Sequence, residues 1–123
     1  IVGAHLARQQ VEGANKAQAA QEAQAAAETA EQTEAAQKAD LDLATAENKL
    51  ANQKINAIWK ALPDDARSQL LELQRAWVRK KTADCNIEAA GASTEPTPKE
   101  AARLRCDTRL TEARISELQS LME

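Results

Sequence analysis

Leu73–Cys85 reads LQRAWVRKKTADC and holds one of the two tryptophans and one of the two cysteines of the 123-residue chain. Trp77 and Cys85 are eight residues apart, a little over two helical turns, so on a helix both side chains lie near one face. The chain has no Phe, no Tyr and a single His. A large ring and a thiol on a common face are therefore its strongest packing signal. The ring fills space against a neighbouring element, and the thiol is placed to join it.

Working outward, the helix that carries this stretch is expected to start at Pro63-Asp64-Asp65, with Asp64 or Asp65 accepting first-turn N–H groups. Its inward positions are Ala66, Leu70, Leu73 and Trp77, spaced 4, 3 and 4. Gly91 is expected to end it in a left-handed cap, and GASTEPTP, residues 91–98, reads as loop. A third helix is expected to begin with Thr97 as cap, Pro98 at the first helical position and Glu100 completing a T-x-x-E capping box. Leu104, Leu110, Ile115, Leu118, Leu121 and Met122 carry its apolar side. The second and third helices then form an antiparallel hairpin.

On these boundaries Cys85 and Cys106 sit roughly 8 and 12 Å from the turn, level enough for a bridge. Closing the span between them stabilises by about 3 kcal/mol, a large share for so small a core. A disulfide implies an oxidising compartment. The competing reading is a pair of reduced, packed cysteines in a cytosolic protein. A metal site is disfavoured, because two thiolates do not fill a zinc shell and the only His, His5, is far off in sequence.

Upstream, Leu43, Leu50, Ile55, Ile58, Trp59 and Leu62 recur at helix-compatible intervals until Pro63 stops the helix. Before them, residues 14–39 are low-complexity Ala/Gln/Glu without Gly or Pro. Ala19, Ala23, Ala26 and Ala30 step by 4, 3 and 4 and run into Thr33 and Gln37. A coiled coil needs Leu, Ile or Val along such a seam. The segment reads as a solvated helical spacer, with homo-oligomerisation through residues 14–39 as the alternative. Residues 1–40 are thus expected to be an Ala/Gln/Glu-rich extension and residues 41–123 a helical domain.

Leu, Ile and Val supply only 20 residues, and alanine makes up most of the apolar content, which favours helix but buries little area. Residues 1–40 carry the whole net charge of −3, and residues 41–123 are balanced. Nothing in that distribution suggests nucleic acid. No apolar run approaches the roughly 20 residues that span a bilayer. Ile1–Ala4, IVGA, ahead of His5 and Arg8, fits the tail of a signal or membrane tether upstream of Ile1, and fits an arbitrary boundary equally. There is no Ser/His/Asp set, no Cys/His pair and no glycine-rich phosphate loop. No enzyme, cofactor or metal site is expected.

KINAIWKAL, LLELQRAWVRKKTADC and RCDTRLTEARISEL together resemble the LprI-type domain of bacterial envelope proteins, a lysozyme-inhibitor-like family. The family pattern is L-N-x-x-Y-x-x-L, then L-x-x-x-Q-x-x-W-x-x-x-R-D-x-x-C, then C-x-x-x-L-T-x-x-R-x-x-x-L. Ile55, Asn56, Trp59 and Leu62 take the first set. Leu70, Gln74, Trp77 and Cys85 take the second, and Cys106, Leu110, Thr111, Arg114 and Leu118 the third. The likeness covers roughly residues 41–121 and leaves the alanine-rich extension outside it. The family's Arg-Asp is Lys81-Thr82 here, and a further cysteine of the family nearer the N-terminus is absent. The resemblance implies a periplasmic or secreted, non-enzymatic helical protein that binds another protein, a lysozyme-type muramidase being the named target.

Two surfaces are candidates for that partner. Arg75, Arg79, Lys80 and Lys81 form a basic cluster that Arg103, Arg105 and Arg109 could extend across the hairpin. It is either a solvated face paired with Glu72, Asp84, Glu88 and Asp107 or a patch for anionic headgroups or an acidic protein. Ser93, Thr94 and Glu95 sit at the hairpin tip, a protruding loop that could enter an enzyme cleft. The expectation is an all-α protein, a long N-terminal helix packed on a disulfide-linked antiparallel helical hairpin as a three-helix bundle. The alternative function is an envelope structural or adaptor module with an alanine-rich spacer or oligomerising coiled coil.

Overall fold

The computed structural model describes the backbone of residues 2–122 and the side chains of residues 8–122; the expectations attached to IVGA and His5 fall outside those side chains. The described residues form three helices, α1 (Val2–Ala61), α2 (Asp64–Ala92) and α3 (Pro96–Ser120). The chain divides into two compact units, Ile1–Ala36 and Gln37–Glu123.

In the first unit, residues 8–36 are helical and exposed throughout. Local chemistry holds this helix without a core. Ala, Gln and Glu have high intrinsic propensity. Gln18 donates to Glu22 at 3.2 Å and Gln24 to Glu28 at 3.4 Å, both at the i,i+4 spacing that supports an isolated helix. The hydroxyls of Thr29 and Thr33 donate back to the carbonyls of Ala25 and Thr29, each at 2.9 Å.

The second unit is the three-helix bundle. On α1, Gln37, Leu41, Ala44, Asn48, Ala51, Ile55 and Ile58 are buried or half-buried, and Leu62 just beyond the helix is buried too. Their spacing alternates between four and three, a heptad seam. Leu43 and Leu50, expected on this face, are instead 55% and 67% exposed. They lie one position off the seam, and the small Ala44 and Ala51 take the inward places. On α2 the inward row is Ala66, Leu70, Gln74 and Trp77. Leu73 is 64% exposed, a correction to its expected inward role, because Gln74 occupies that level.

Pro63 ends α1 as expected, and α2 begins directly after it. Neither Asp64 nor Asp65 is the cap. Pro63 holds that position with no side-chain cap bond, and both carboxylates lie in the first turn, where they favour the positive end of the helix dipole. Arg67 pairs with Asp64 and also donates to the carbonyl of Lys60 at 3.2 Å, satisfying an acceptor at the end of α1.

Gly91 is not a left-handed cap. No described residue has a positive φ; α2 runs on through Gly91 to Ala92 and stops at Ser93 in an extended conformation. The third helix starts two residues earlier than its capping box implied, with Glu95 at the cap, no side-chain cap bond and Pro96 first in the helix. Both Pro96 and Pro98 are tolerated because the N–H groups of the first turn have no intrahelical partner to lose. Glu100 pairs with Arg103 rather than reaching back to Thr97. Leu121 and Met122 lie past the end of α3 and are largely exposed.

Two apolar clusters hold the unit. Ala44, Ala101 and Leu104 form one, with Leu41 against it. Ile55, Leu62, Ile115 and Leu118 form the other, packed by Ile58, Trp59, Ala66, Leu70 and Trp77. Cys85 and Cys106 are joined by a disulfide, their Cα atoms 5.4 Å apart and both side chains buried. Helix α1 therefore packs on a covalently closed α2–α3 hairpin.

Between the clusters lies a polar layer contributed by all three helices. Asn48 of α1 donates to Asp107 at 2.8 Å and to Thr108 at 3.2 Å. Lys81 of α2 pairs with Asp107 at 3.2 Å, the two side chains only 11% and 15% exposed. Thr111, fully buried, donates to Asp107 at 3.3 Å and accepts from Lys81 at 3.4 Å. A polar residue at a seam position sets register, since a slipped α1 would leave Asp107 and Asn48 unpaired in the interior.

Candidate functional site

Five of the residues that carried the family resemblance, Ile55, Asn56, Trp59, Gln74 and Trp77, converge on one cleft. It lies between α1 and α2, has a volume of about 280 Å³, and is lined by Asn52, Ile55, Asn56 and Trp59 from α1 and Leu71, Gln74, Trp77, Val78 and Lys81 from α2. Helical spacing explains the convergence. Asn52, Asn56 and Trp59 follow one another at four and three residues, and Gln74, Trp77 and Lys81 at three and four, so each row lines one wall.

Contacts from α3 fix the α2 wall. Arg114 donates through Nε to Gln74 at 2.9 Å and through Nη1 to Glu117 at 2.8 Å. The ammonium of Lys81 lies 4.6 Å from the centre of the Trp77 ring while bound to Asp107, so the cation holds the indole and is itself neutralised. Thr111 completes this backing through its bonds to Lys81 and Asp107.

Much of the hydrogen-bonding capacity facing the cleft is unspent. Among the described residues, Asn56 makes no side-chain hydrogen bond, Asn52 uses only its amide donor on Asn48 at 3.0 Å, and Gln74 uses only its carbonyl on Arg114. Neither indole N–H has a partner within the described chain. The one buried side-chain polar atom without a partner there is Arg114 Nη2, so the free amide and indole groups of the cleft reach solvent.

The hairpin tip is the second place of interest. Ser93, Thr94 and Glu95 form the whole turn between α2 and α3. Ser93 Oγ accepts from the Glu95 N–H at 3.0 Å, and Gln37 of α1 donates to the Glu95 carboxylate at 3.0 Å. Ser93 N–H donates to Ala89 and Lys99 N–H to Glu95, closing the two helix ends. The turn is short and tied on both sides. Lys99, one turn into α3, is exposed and makes no ion pair among the described residues.

The basic cluster resolves into pairs. Arg75 meets Glu72 at 3.0 Å, Lys80 meets Asp84 at 2.6 Å, and Arg109 reaches across the hairpin to Glu88 at 2.9 Å. Arg103 pairs with Glu100, and Arg105 makes a bidentate contact to Asp40 of α1. Hydrogen bonding from Arg105 holds the Asp40 carboxyl below its ordinary value, against the opposing effect of desolvation. Arg103 does the same to Glu100. Of the expected patch only Arg79 lacks an ion pair among the described residues, and Lys81 points inward. The tip lies some 13 residues beyond Lys80 along α2, so the cluster and the tip are not brought together.

Sequence reasoning missed Asn48 and Asn52, the apolar rim of Leu71 and Val78, and Lys99; it named Asp107 as a partner of the basic face, and Asp107 does pair with Lys81, in the interior rather than on a solvated face. Counting back one heptad from Ile55 finds Asn48 directly. No group of three or more His, Cys, Asp or Glu that could hold a metal occurs among the described residues. No described helix is long and apolar enough to cross a membrane.

A family model described as Lysozyme inhibitor LprI matches residues 6–118. The match reaches far upstream of residue 41, taking in the alanine-rich segment that the motifs alone left out. No curated protein and no solved structure matches the chain.

Proposed function

The chain belongs to the LprI lysozyme-inhibitor family, and from that premise we propose that it is a non-enzymatic periplasmic or secreted protein that binds a lysozyme-type muramidase through the tip of its α2–α3 hairpin. The observation that carries the reading is the family match over nearly the whole chain. A competitive blocker of a cleft enzyme must present something convex and already ordered, because ordering a loop on binding subtracts from affinity. Ser93–Glu95 is ordered in advance: it is tethered to Gln37 and mounted on helices joined by a buried disulfide. The hydroxyls of Ser93 and Thr94 and the free ammonium of Lys99 suit a cleft that carries catalytic carboxylates. The net charge of −3 lies wholly in residues 1–40, so any steering toward a basic enzyme comes from the extension and not from the tip. The disulfide fits an oxidising compartment.

The test is the rate of cell-wall lysis by a lysozyme with the full chain added in excess. The expected result is slower lysis that rising substrate relieves, with Thr94→Trp abolishing the effect. Undiminished lysis removes the inhibitor reading, and inhibition by Thr94→Trp equal to that of the parent removes the tip.

A second reading has its own observation. Ala19, Ala23, Ala26, Ala30 and Thr33 form a heptad-spaced stripe of small residues, and the side chains of residues 8–36 are exposed. A structural or adaptor module would use that stripe to space or assemble the chain.

A further inference from the structure

We propose that the cleft between α1 and α2 is a saccharide subsite that takes one 2-acetamido sugar residue of a glycan. At about 280 Å³ it lies just below the roughly 300–1,000 Å³ typical of small-ligand clefts, room for a single ring. Its walls combine two indoles with amide side chains from both helices. A 2-acetamido pyranose has the matching parts: an apolar C–H face to lie against an indole, hydroxyls, and an acetamide that both donates and accepts.

The unspent groups decide between ligand classes. Asn56 offers a donor and an acceptor, Asn52 an acceptor, Gln74 a donor and each indole a donor. A charged ligand finds no counterpart, because Lys81, the only ionic residue in the lining, is bound to Asp107. An apolar side chain from a protein partner would cover these amides and leave them unpaired, which weakens binding by about tenfold or more per group. A neutral ligand rich in donors and acceptors satisfies them instead. The proposal does not depend on the hairpin tip, which lies at the far end of α2.

The chain carries only two tryptophans, and both line the cleft, so their indole N–H signals in a nitrogen-15 NMR spectrum report the site alone. The full chain is titrated with N,N′-diacetylchitobiose to about 20 mM, with cellobiose, which lacks the acetamide, as control. Both indole signals are expected to shift and saturate, with cellobiose about tenfold weaker or more. Asn56→Ala, at an exposed position without internal bonds, should leave the rest of the spectrum in place and weaken chitobiose binding about five- to tenfold. Static indole signals overturn the proposal, as does a shift indifferent to Asn56→Ala or equal for the two sugars. Indole signals that ignore chitobiose but respond to a lysozyme would make the cleft a protein-binding site and overturn it too. Because the titration contains no enzyme, its failure leaves the inhibitor reading standing.

Discussion

Removing the Cys85–Cys106 bridge should cost the second unit a large part of its stability, by an amount the loop it closes sets. The two cysteines are separated by 21 positions, which gives about 3.3 kcal/mol at 25 °C from the lost chain entropy of the unfolded state. For a folded unit of the length of Gln37–Glu123, that corresponds to a fall in melting temperature of roughly 13–26 °C. Both sulfurs are buried, so replacing them with alanine removes packing as well as the link. The cleaner comparison is wild type refolded with and without reductant, thiol content being titrated to prove the bond is open. Tryptophan fluorescence is the right probe, because both indoles lie in the second unit and neither in the exposed helix of residues 8–36. Far-UV circular dichroism would mix the two. The urea dependence should steepen on reduction as the unlinked chain exposes more surface. A reduced protein that melts within a few degrees of the oxidised one would mean that the two apolar clusters suffice, and the covalent link would lose its role in holding the tip.

Three further outcomes follow from side-chain geometry. Asp107→Ala strands the Lys81 ammonium in a largely buried setting and should destabilise by about 3 kcal/mol in urea, whereas Lys81→Met with Asp107→Leu should recover most of that loss; a double variant no better than the single one contradicts the pairing. Because the folded-state pKa of Asp40 is depressed by Arg105, its stabilisation is complete above the unfolded value of about 4 and lost as pH falls through the lower folded value. Asp40→Asn should therefore lower the urea midpoint at neutral pH and converge with wild type in strong acid, and a gap that persists there rules the ion pair out as the cause. If the alanine seam assembles the chain, sedimentation velocity should find a dimer that Ala23→Glu with Ala30→Glu returns to monomer, while identical monomers leave only a spacer role.

The fold class, the hairpin and the disulfide were legible because each rests on short-range signals: Pro63, the helix periodicity and two cysteines level with one another. Internal packing on α1 was misread for a physical reason. Leu43 and Leu50 look like core residues by size, yet the seam runs through Ala44, Asn48 and Ala51. Small side chains let helices approach closely, so in an alanine-rich bundle residue size is a poor guide and phase is the better one. The ends of α2 and α3 were misread because Gly91 and Thr97-Pro98 imitate cap and start signals. Ser93 stops the one helix and Pro96 starts the other, which shortens the turn to three residues. The cleft was partly visible as Asn56, Trp59, Gln74 and Trp77 but not as a place, since nothing local relates the level of α1 to that of α2. Asn48 supplies that relation through Asp107 and Lys81.

That relation separates the two proposed activities. The tip is built on α2 and α3, which the disulfide joins; α1 touches it through the Gln37–Glu95 bond. The cleft has one wall on α1 and the other on α2, so it exists only while α1 is docked. Docking in turn relies on the cluster around Ile55 and Leu62 and on alanine contacts, which bury little area, in a register that the polar layer fixes. Asn48→Ala should therefore loosen the cleft before the tip. Acrylamide quenching of the tryptophans is expected to rise and chitobiose binding to weaken, while inhibition of a lysozyme stays near the wild-type level. Reduction of the disulfide should act in the opposite order on the native protein, dulling inhibition first. If Asn48→Ala and reduction depress both activities in parallel, the bundle behaves as a single cooperative body, and the division of labour between tip and cleft is wrong.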